Sequence, residues 1–538
     1  MLAALVLGWL ALATAPDDYV GSRACAPCHG RVFQRYAATP MARSSGRVTT
    51  AALPPDLDRS RFRHAGSGAE YRVAASEGRV FLEFRRAAAG IEGKRLLEYF
   101  IGSGAAGRSY LFSYGGFLYQ APVTYYARVG RWDVSPGFER YDHIDLTRPV
   151  EPNCLQCHAS RVEPLAGTQN GYAVPPFLED GVGCERCHGP ARTHVERMGA
   201  PRHAADLAIV NPARLEPSRR DSVCDQCHLT GEARIGRPGP RLADFRPGDR
   251  LDDFVVSFVA SDASRALRAT SHVEKLWQSG CKSSSGDRLW CGTCHDPHAI
   301  PAEAERTAYF RTRCLGCHAP DRCKARAEAR QARGDDCTTC HMPKTRVADG
   351  GHGVLTDHTI ARAGRPSGAA APIGKLVAFR AAVVTPRELG LAYAEAALAA
   401  GDTALAARAR EPLEQALRLA PDDAAVLFHL AYLSELAGER TRAVSLYERA
   451  LGRDPALQAA AVNLGRLYAE GGRLGEAIRL WEGALRRNPA LEEARINLGV
   501  AHARSGERLR ARAEAERALE INPDSARARA LLEAVKQP

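Results

Sequence analysis

The stretch CGTCHDPHAIPAEAERTAYFRTRCLGCHAPDRCKARAEARQARGDDCTTCH occupies residues 291–341. It spells Cys-x-x-Cys-His three times, starting at Cys291, Cys314 and Cys337, with 23 residues from one start to the next. Four more copies stand upstream, starting at Cys25, Cys154, Cys184 and Cys224. Together they take fourteen of the chain's sixteen cysteines. The thiols are Cys25, Cys28, Cys154, Cys157, Cys184, Cys187, Cys224, Cys227, Cys291, Cys294, Cys314, Cys317, Cys337 and Cys340. The imidazoles that follow them are His29, His158, His188, His228, His295, His318 and His341.

The spacing has a chemical reason. Two thiols three residues apart can each form a thioether to one vinyl group of a haem, and the next residue then offers an imidazole to the iron. Zinc would need free thiols in groups of four and no histidine after each pair. A redox dithiol would not recur seven times without thioredoxin-like βαβ patterning. The expectation is haem c, seven copies, covalently attached. The haems themselves would form the apolar core of the region, with short helices over them.

Each iron then needs a sixth ligand. Eight histidines lie outside the motifs and the C-terminal region: His64, His143, His194, His203, His272, His298, His352 and His358. Seven haems need at most seven, so the near match points to mostly bis-histidine coordination, which suits electron transfer. His298 is the strongest candidate, because Pro297 resists helix and lets His295 and His298 serve two different haems. His143, His194, His272, His352 and His358 follow. His64 and His203 are the weakest. Met41 offers a thioether for the first haem. Cys281 and Cys323 have no partner three residues away; in an oxidising compartment the expectation is that they pair with each other, the alternative being two buried free thiols.

The 538 residues suggest about three domains. The 45% hydrophobic content excludes both global disorder and a polytopic membrane protein. Residues 2–13 read LAALVLGWLALA and run into Ala13-Thr14-Ala15, the pattern of a secretory leader over residues 1–15. That predicts export to the periplasm, with membrane contact only through partners. The net charge of +11 favours acidic partners, but up to fourteen haem propionates would absorb much of it. Nothing points to nucleic acid.

Residues 16–61 read as a first haem segment. Residues 62–130 carry no motif and alternate in period two, as in Val80-Phe-Leu-Glu-Phe84 and Ser109-Tyr-Leu-Phe-Ser-Tyr114. Gly115-Gly116 then signals a hairpin. The prediction is a small antiparallel β insertion whose aromatic face packs on the haem region. Gly102-Ser-Gly104-Ala-Ala-Gly107 spells a dinucleotide fingerprint, but a strand-like run follows where that fingerprint needs a helix. Residues 131–361 carry the other six motifs. Residues 362–386 are rich in Ala, Gly and Pro and read as a linker.

In residues 387–538, Pro421, Pro455, Pro489 and Pro523 recur every 34 residues. Small residues keep phase with them: Ala397, Ala431, Gly465 and Gly499; Ala409, Ala443, Ala477 and Ala511; Ala416, Ala450, Ala484 and Ala518. Small residues let two helices of a hairpin approach closely, and proline ends the second. The pattern resembles the tetratricopeptide repeat. The resemblance implies a superhelix with a concave face for a protein or peptide partner. The fold class is thus multidomain and mainly α: a haem-packed cytochrome core with a β insertion, then an α-α superhelix.

The seven motifs, with Cys294-His-Asp-Pro-His298, Thr39-Pro-Met-Ala-Arg-Ser44 and the His352–His358 stretch, resemble exported multihaem cytochromes that join a cytochrome c-552/c-554-like domain to tetratricopeptide repeats. That resemblance implies electron transfer through closely stacked haems between redox partner proteins. The alternative is a multihaem oxidoreductase acting on a small nitrogen or sulfur oxyanion at one open iron. A third reading, a scaffold with structural haems, would make seven costly insertions serve no purpose.

Overall fold

The computed structural model describes residues 18–54, 57–200, 207–261, 267–320, 323–361 and 373–536. The leader and His203 lie outside them.

The β part is larger than a small insertion. Nine strands form two antiparallel sheets. One sheet runs Phe62–Arg63, Glu70–Ser76, Arg79–Arg86 and Ile91–Leu96 in sequence order. The other runs Ser45–Arg47, Tyr99–Ile101, Arg108–Tyr114, Phe117–Tyr126 and Arg131–Val134. Its first strand comes from the segment expected to belong to the first haem, with Ser45 opposite Ile101. The Gly115-Gly116 hairpin closes with Tyr114 opposite Phe117 and both glycines at positive φ (58° and 84°), as a two-residue primed turn requires.

The aromatic face packs differently from the expectation. Tyr110, Phe112, Phe117, Tyr119 and Trp132 share one core with Tyr71, Val73, Leu82 and Phe84 of the other sheet. Nine strands supply two layers, so the aromatic surface is buried inside the sandwich. The opposite face of the five-stranded sheet, through Tyr99, Leu111 and Leu118, packs on Leu155, which stands between Cys154 and Cys157. Gly102–Gly107 is the loop between two strands, and Gly104 N donates to Gly107 O.

The N-terminal part is therefore rich in strands, which corrects the expectation of one small β insertion in a mainly α chain. The 131–361 region adds two hairpins, Ser160–Pro164 with Tyr172–Glu179 and Lys344–Arg346 with Val354–Thr356. Of the expected 362–386 linker, residues 362–372 lie outside the described residues, and in the rest Leu376–Ala378 is a strand paired with Val255–Ala260. A short Leu-Val-Ala run satisfies its backbone groups on an open sheet edge.

The C-terminal region is four helical hairpins and a cap, from Pro386–Ala400 to Ala526–Lys536. Ala409, Ala443, Ala477 and Ala511 are fully buried. Gly465 shows why the phase must be small: a Cβ there would lie 2.5 Å from Trp481 Nε1. The array is fastened at both ends. Its first helix joins the core of the Ala233–Gly236, Val255–Ala260 and Leu376–Ala378 sheet, including Phe258 and Leu376. Near its last turn, the buried Asp524 pairs with Arg86 at 2.9 Å and accepts from Ile144 N at 2.8 Å.

Candidate functional site

The motifs sit on short helical turns with local reasons to form. Pro217 opens Pro217–His228, and Glu216 accepts from Ser218 N. Asp336 accepts from Thr338 N at the start of Cys337–His341. One helical turn places residues i, i+3 and i+4 on a single face, which aims both thiols and the imidazole the same way. Cys291–Cys294 stops before His295, whose backbone is extended, two residues ahead of Pro297.

Every motif contributes to one cavity of about 6130 Å³, with all the motif thiols and imidazoles except Cys154 in its lining. A single small-molecule pocket is on the order of 300–1,000 Å³, so this space suits several large groups. The motifs also touch one another. Cys25 interacts with Cys184, Cys157 with Cys227, Cys224 with Cys291, and Cys314 with Cys337. Cys187 senses Cys227, and Cys281 senses Cys317 and in turn acts on Cys294. These electrostatic influences link all seven motifs, the fifth and sixth both directly, Cys294 with Cys314, and through Cys281. Cys281 and Cys323 are both free thiols here, so the expected pairing is not formed in this structure.

Burial pushes the Cys187 thiol up to about 11, so it stays protonated in this apolar wall. Among the described residues, no group of three or more His, Cys, Asp or Glu is placed to hold a metal ion, whereas a structural zinc site needs four convergent ligands.

The imidazoles come in facing pairs. His29 stacks on His194 at 6.4 Å between ring centroids, and His188 on His298 at 5.7 Å. His228 meets His272 at 5.4 Å, and His295 meets His358 at 6.3 Å. His272 also meets His358 at 5.0 Å. The His188 and His298 Nε2 atoms are 3.4 Å apart. Two imidazole–metal bonds of about 2 Å each would put such nitrogens about 4 Å apart, so a slight opening admits a metal. His295 and His298 face different partners.

Backbone carbonyls orient several of these rings. His188 Nδ1 meets Val210 O at 2.8 Å, His194 meets Leu207 O at 2.7 Å, His341 meets Ala361 O at 3.0 Å and His358 meets Thr356 O at 2.9 Å. A bond at Nδ1 leaves Nε2 as the free donor atom, the usual support of a ligating histidine. Burial pushes His272 down to about 3 and His295 to about 4, so both rings are neutral near pH 7. Sequence reasoning missed these carbonyls, which leave no side-chain signal.

Other candidates stand elsewhere. His143 is outside the cavity and bonds Asp142 at 2.8 Å. His352 also lies outside it, with Nε2 on Asp133 at 2.8 Å. His64 is tied to Ser67 and the Glu139 carbonyl. Met41 lines the cavity. Among the described residues, His158, His318 and His341 have no facing imidazole in ring contact.

Two thiols and an imidazole per motif, supported Nε2 atoms and a cavity of this size fit covalently attached haem. When bound, haem supplies a one-electron Fe(III)/Fe(II) couple. The chain's part is to anchor it by two sulfurs, present Nε2 and exclude water.

Residues 138–189 match the family model of cytochrome c554 and c-prime, a span holding the second and third motifs. Residues 469–535 match a tetratricopeptide repeat model. The chain thus carries a cytochrome c554-type domain and C-terminal repeats, and the former implies haem c. No curated protein matches the chain. Solved structures similar to it include MamA, at 19% identity over 27% of this chain and 82% of that one, TM-score 0.25. A tetratricopeptide repeat protein from Parabacteroides merdae matches at 25% identity over 28% and 60%, TM-score 0.25. The first repeat domain of Spaghetti (RPAP3), bound to an HSP90 peptide, matches at 22% identity over 21% and 90%, TM-score 0.21.

Proposed function

We propose that this chain is an exported, periplasmic cytochrome with seven covalently attached c-type haems, passing electrons between redox partner proteins. One observation carries the reading. From Trp290 to Arg346, across three motifs and four short helices, no described residue is buried. A segment with no core of its own, wrapped on a cavity, needs bound apolar groups to hold it together. The closeness of the motif thiols, which act on one another's charge, supports electron passage among the haems. The facing pairs support four bis-histidine centres: His29 with His194, His188 with His298, His228 with His272, and His295 with His358. The repeats serve as the docking platform for a protein or peptide.

The test is the mass and spin state of the protein matured in a periplasm. The expected mass exceeds the processed chain by seven haems, with at least four low-spin bis-imidazole signals. His298→Ala should remove one of these and leave the haem count unchanged. A bare chain without Soret absorbance would end the reading.

A second reading has its own observation. The motif imidazoles His158, His318 and His341 face no second histidine among the described residues, and His318 is exposed at the cavity edge. An open iron there would make the protein an oxidoreductase on a small nitrogen or sulfur oxyanion. A high-spin signal that shifts on adding nitrite or sulfite favours it.

A further inference from the structure

Arg380 follows the strand Leu376–Ala378 and reaches back to the motif helix Pro217–His228. Its guanidinium bonds Asp225 Oδ2 at 2.9 Å and lies 3.8 Å from Asp221 Oδ2. It also covers the Trp277 ring at 4.3 Å. Asp225 stands between Cys224 and Cys227, and it and Asp221 are buried, at 7% and 8% exposure. Arg220 bonds Asp221 at 3.0 Å, and Lys282 Nζ is 4.0 Å from it. Burial pushes the Asp225 carboxyl up to about 7, Asp221 and Glu274 add to that, and Arg380 and Arg234 oppose it, so it is ionised in mildly alkaline buffer. Arg380 is the cation that bonds Asp225 directly.

A buried carboxylate is tolerated when paired. Its charge acts strongly on nearby groups, because little water screens it. An unpaired negative charge beside an iron centre stabilises Fe(III) over Fe(II) and lowers the reduction potential. The backbone holds Arg380 in place: Phe379 N donates to Ser257 O, and Leu376 N donates to the Tyr393 hydroxyl of the first repeat helix.

We propose that Arg380 is a positioning residue that sets the reduction potential of the haem at Cys224 and Cys227, by neutralising the carboxylate that this motif buries. The inference rests on the cytochrome reading above. It also bonds a residue of the joint with the repeats to the helix that carries this motif.

The experiment uses the full, haem-loaded protein. The haem count of the wild type decides the cofactor reading, independently of the potentials. Spectroelectrochemical titration in mildly alkaline buffer is run on wild type, Arg380→Gln, Arg380→Lys, Asp225→Asn and the double variant Asp225→Asn/Arg380→Gln. Arg380→Gln should lower one midpoint by a tenfold change in the Fe(III)/Fe(II) equilibrium, about 59 mV for one electron. Arg380→Lys should shift it by less than half as much. The double variant should return close to wild type. Unchanged midpoints in Arg380→Gln, or a shift that persists in the double variant, overturns the proposal. Should Arg380→Gln fail to mature, Asp225→Asn alone decides: its midpoint must rise, and an unchanged or lowered value overturns the proposal.

Discussion

The repeat array and the motif region bury themselves by opposite means. In the array, each helix pair closes over alanines, and one pair also over Trp481, which is 2% exposed. Its core is made of polypeptide side chains throughout, its own and, at the ends, neighbours such as Phe258 and Leu376. Around the motifs, the helices Cys291–Cys294, Arg306–Leu315 and Cys337–His341 bury none of their residues and instead frame a cavity. Helix content therefore says little about cohesion: one region is a solid and the other a shell whose filling comes from outside the polypeptide.

The sharpest way to break this contrast is to withhold the filling. Expressed without haem attachment, the chain should keep the helical signal and protease resistance of residues 386–536. It should be cut rapidly between residues 290 and 346. Limited proteolysis with mass spectrometry reads both at once, and equal resistance of the two regions would refute the contrast.

The array should fail the other way, by losing its own atoms. Trp481→Ala should destabilise it by about 3–5 kcal/mol, read as a lowered repeat transition in calorimetry, with the haem count unaffected.

A smaller effect comes from His429, 9% exposed with its Nδ1 unpartnered. Burial pushes its pKa down to about 4, from 6.5. The unfolded chain thus binds a proton that the folded array does not. The stability from this group is fully present above about pH 6.5 and is lost as pH falls toward 4, by about 3 kcal/mol. His429→Leu should flatten that loss in thermal unfolding across pH 7 to 4, while the motif region keeps its own acid response.

How much the sequence disclosed obeys the same division. The array was legible because close helix contact demands small residues, and Ala443 and Gly465 spell that demand. The motifs were legible because thioether chemistry fixes their spacing. The sandwich was not, since period-two alternation shows that a strand has an inner face but not what lies against it. The strand Leu376–Ala378 is too short to leave a period. Among candidate ligands, His143 is claimed by its neighbour Asp142 and His352 by the distant Asp133, and no spacing rule flags either bond. The mutual contacts of Cys25 with Cys184, or of Cys224 with Cys291, exist only in three dimensions.

The two-ended fastening of the array has a mechanical meaning. A superhelix free at one end can flex to suit whatever it grips. Here Asp524 is anchored to Arg86 at one end, and the first helix shares a core with Phe258 at the other. The repeats thus behave as a bowstring across the molecule, and a partner that bends them must tension the whole frame on which the motifs are hung.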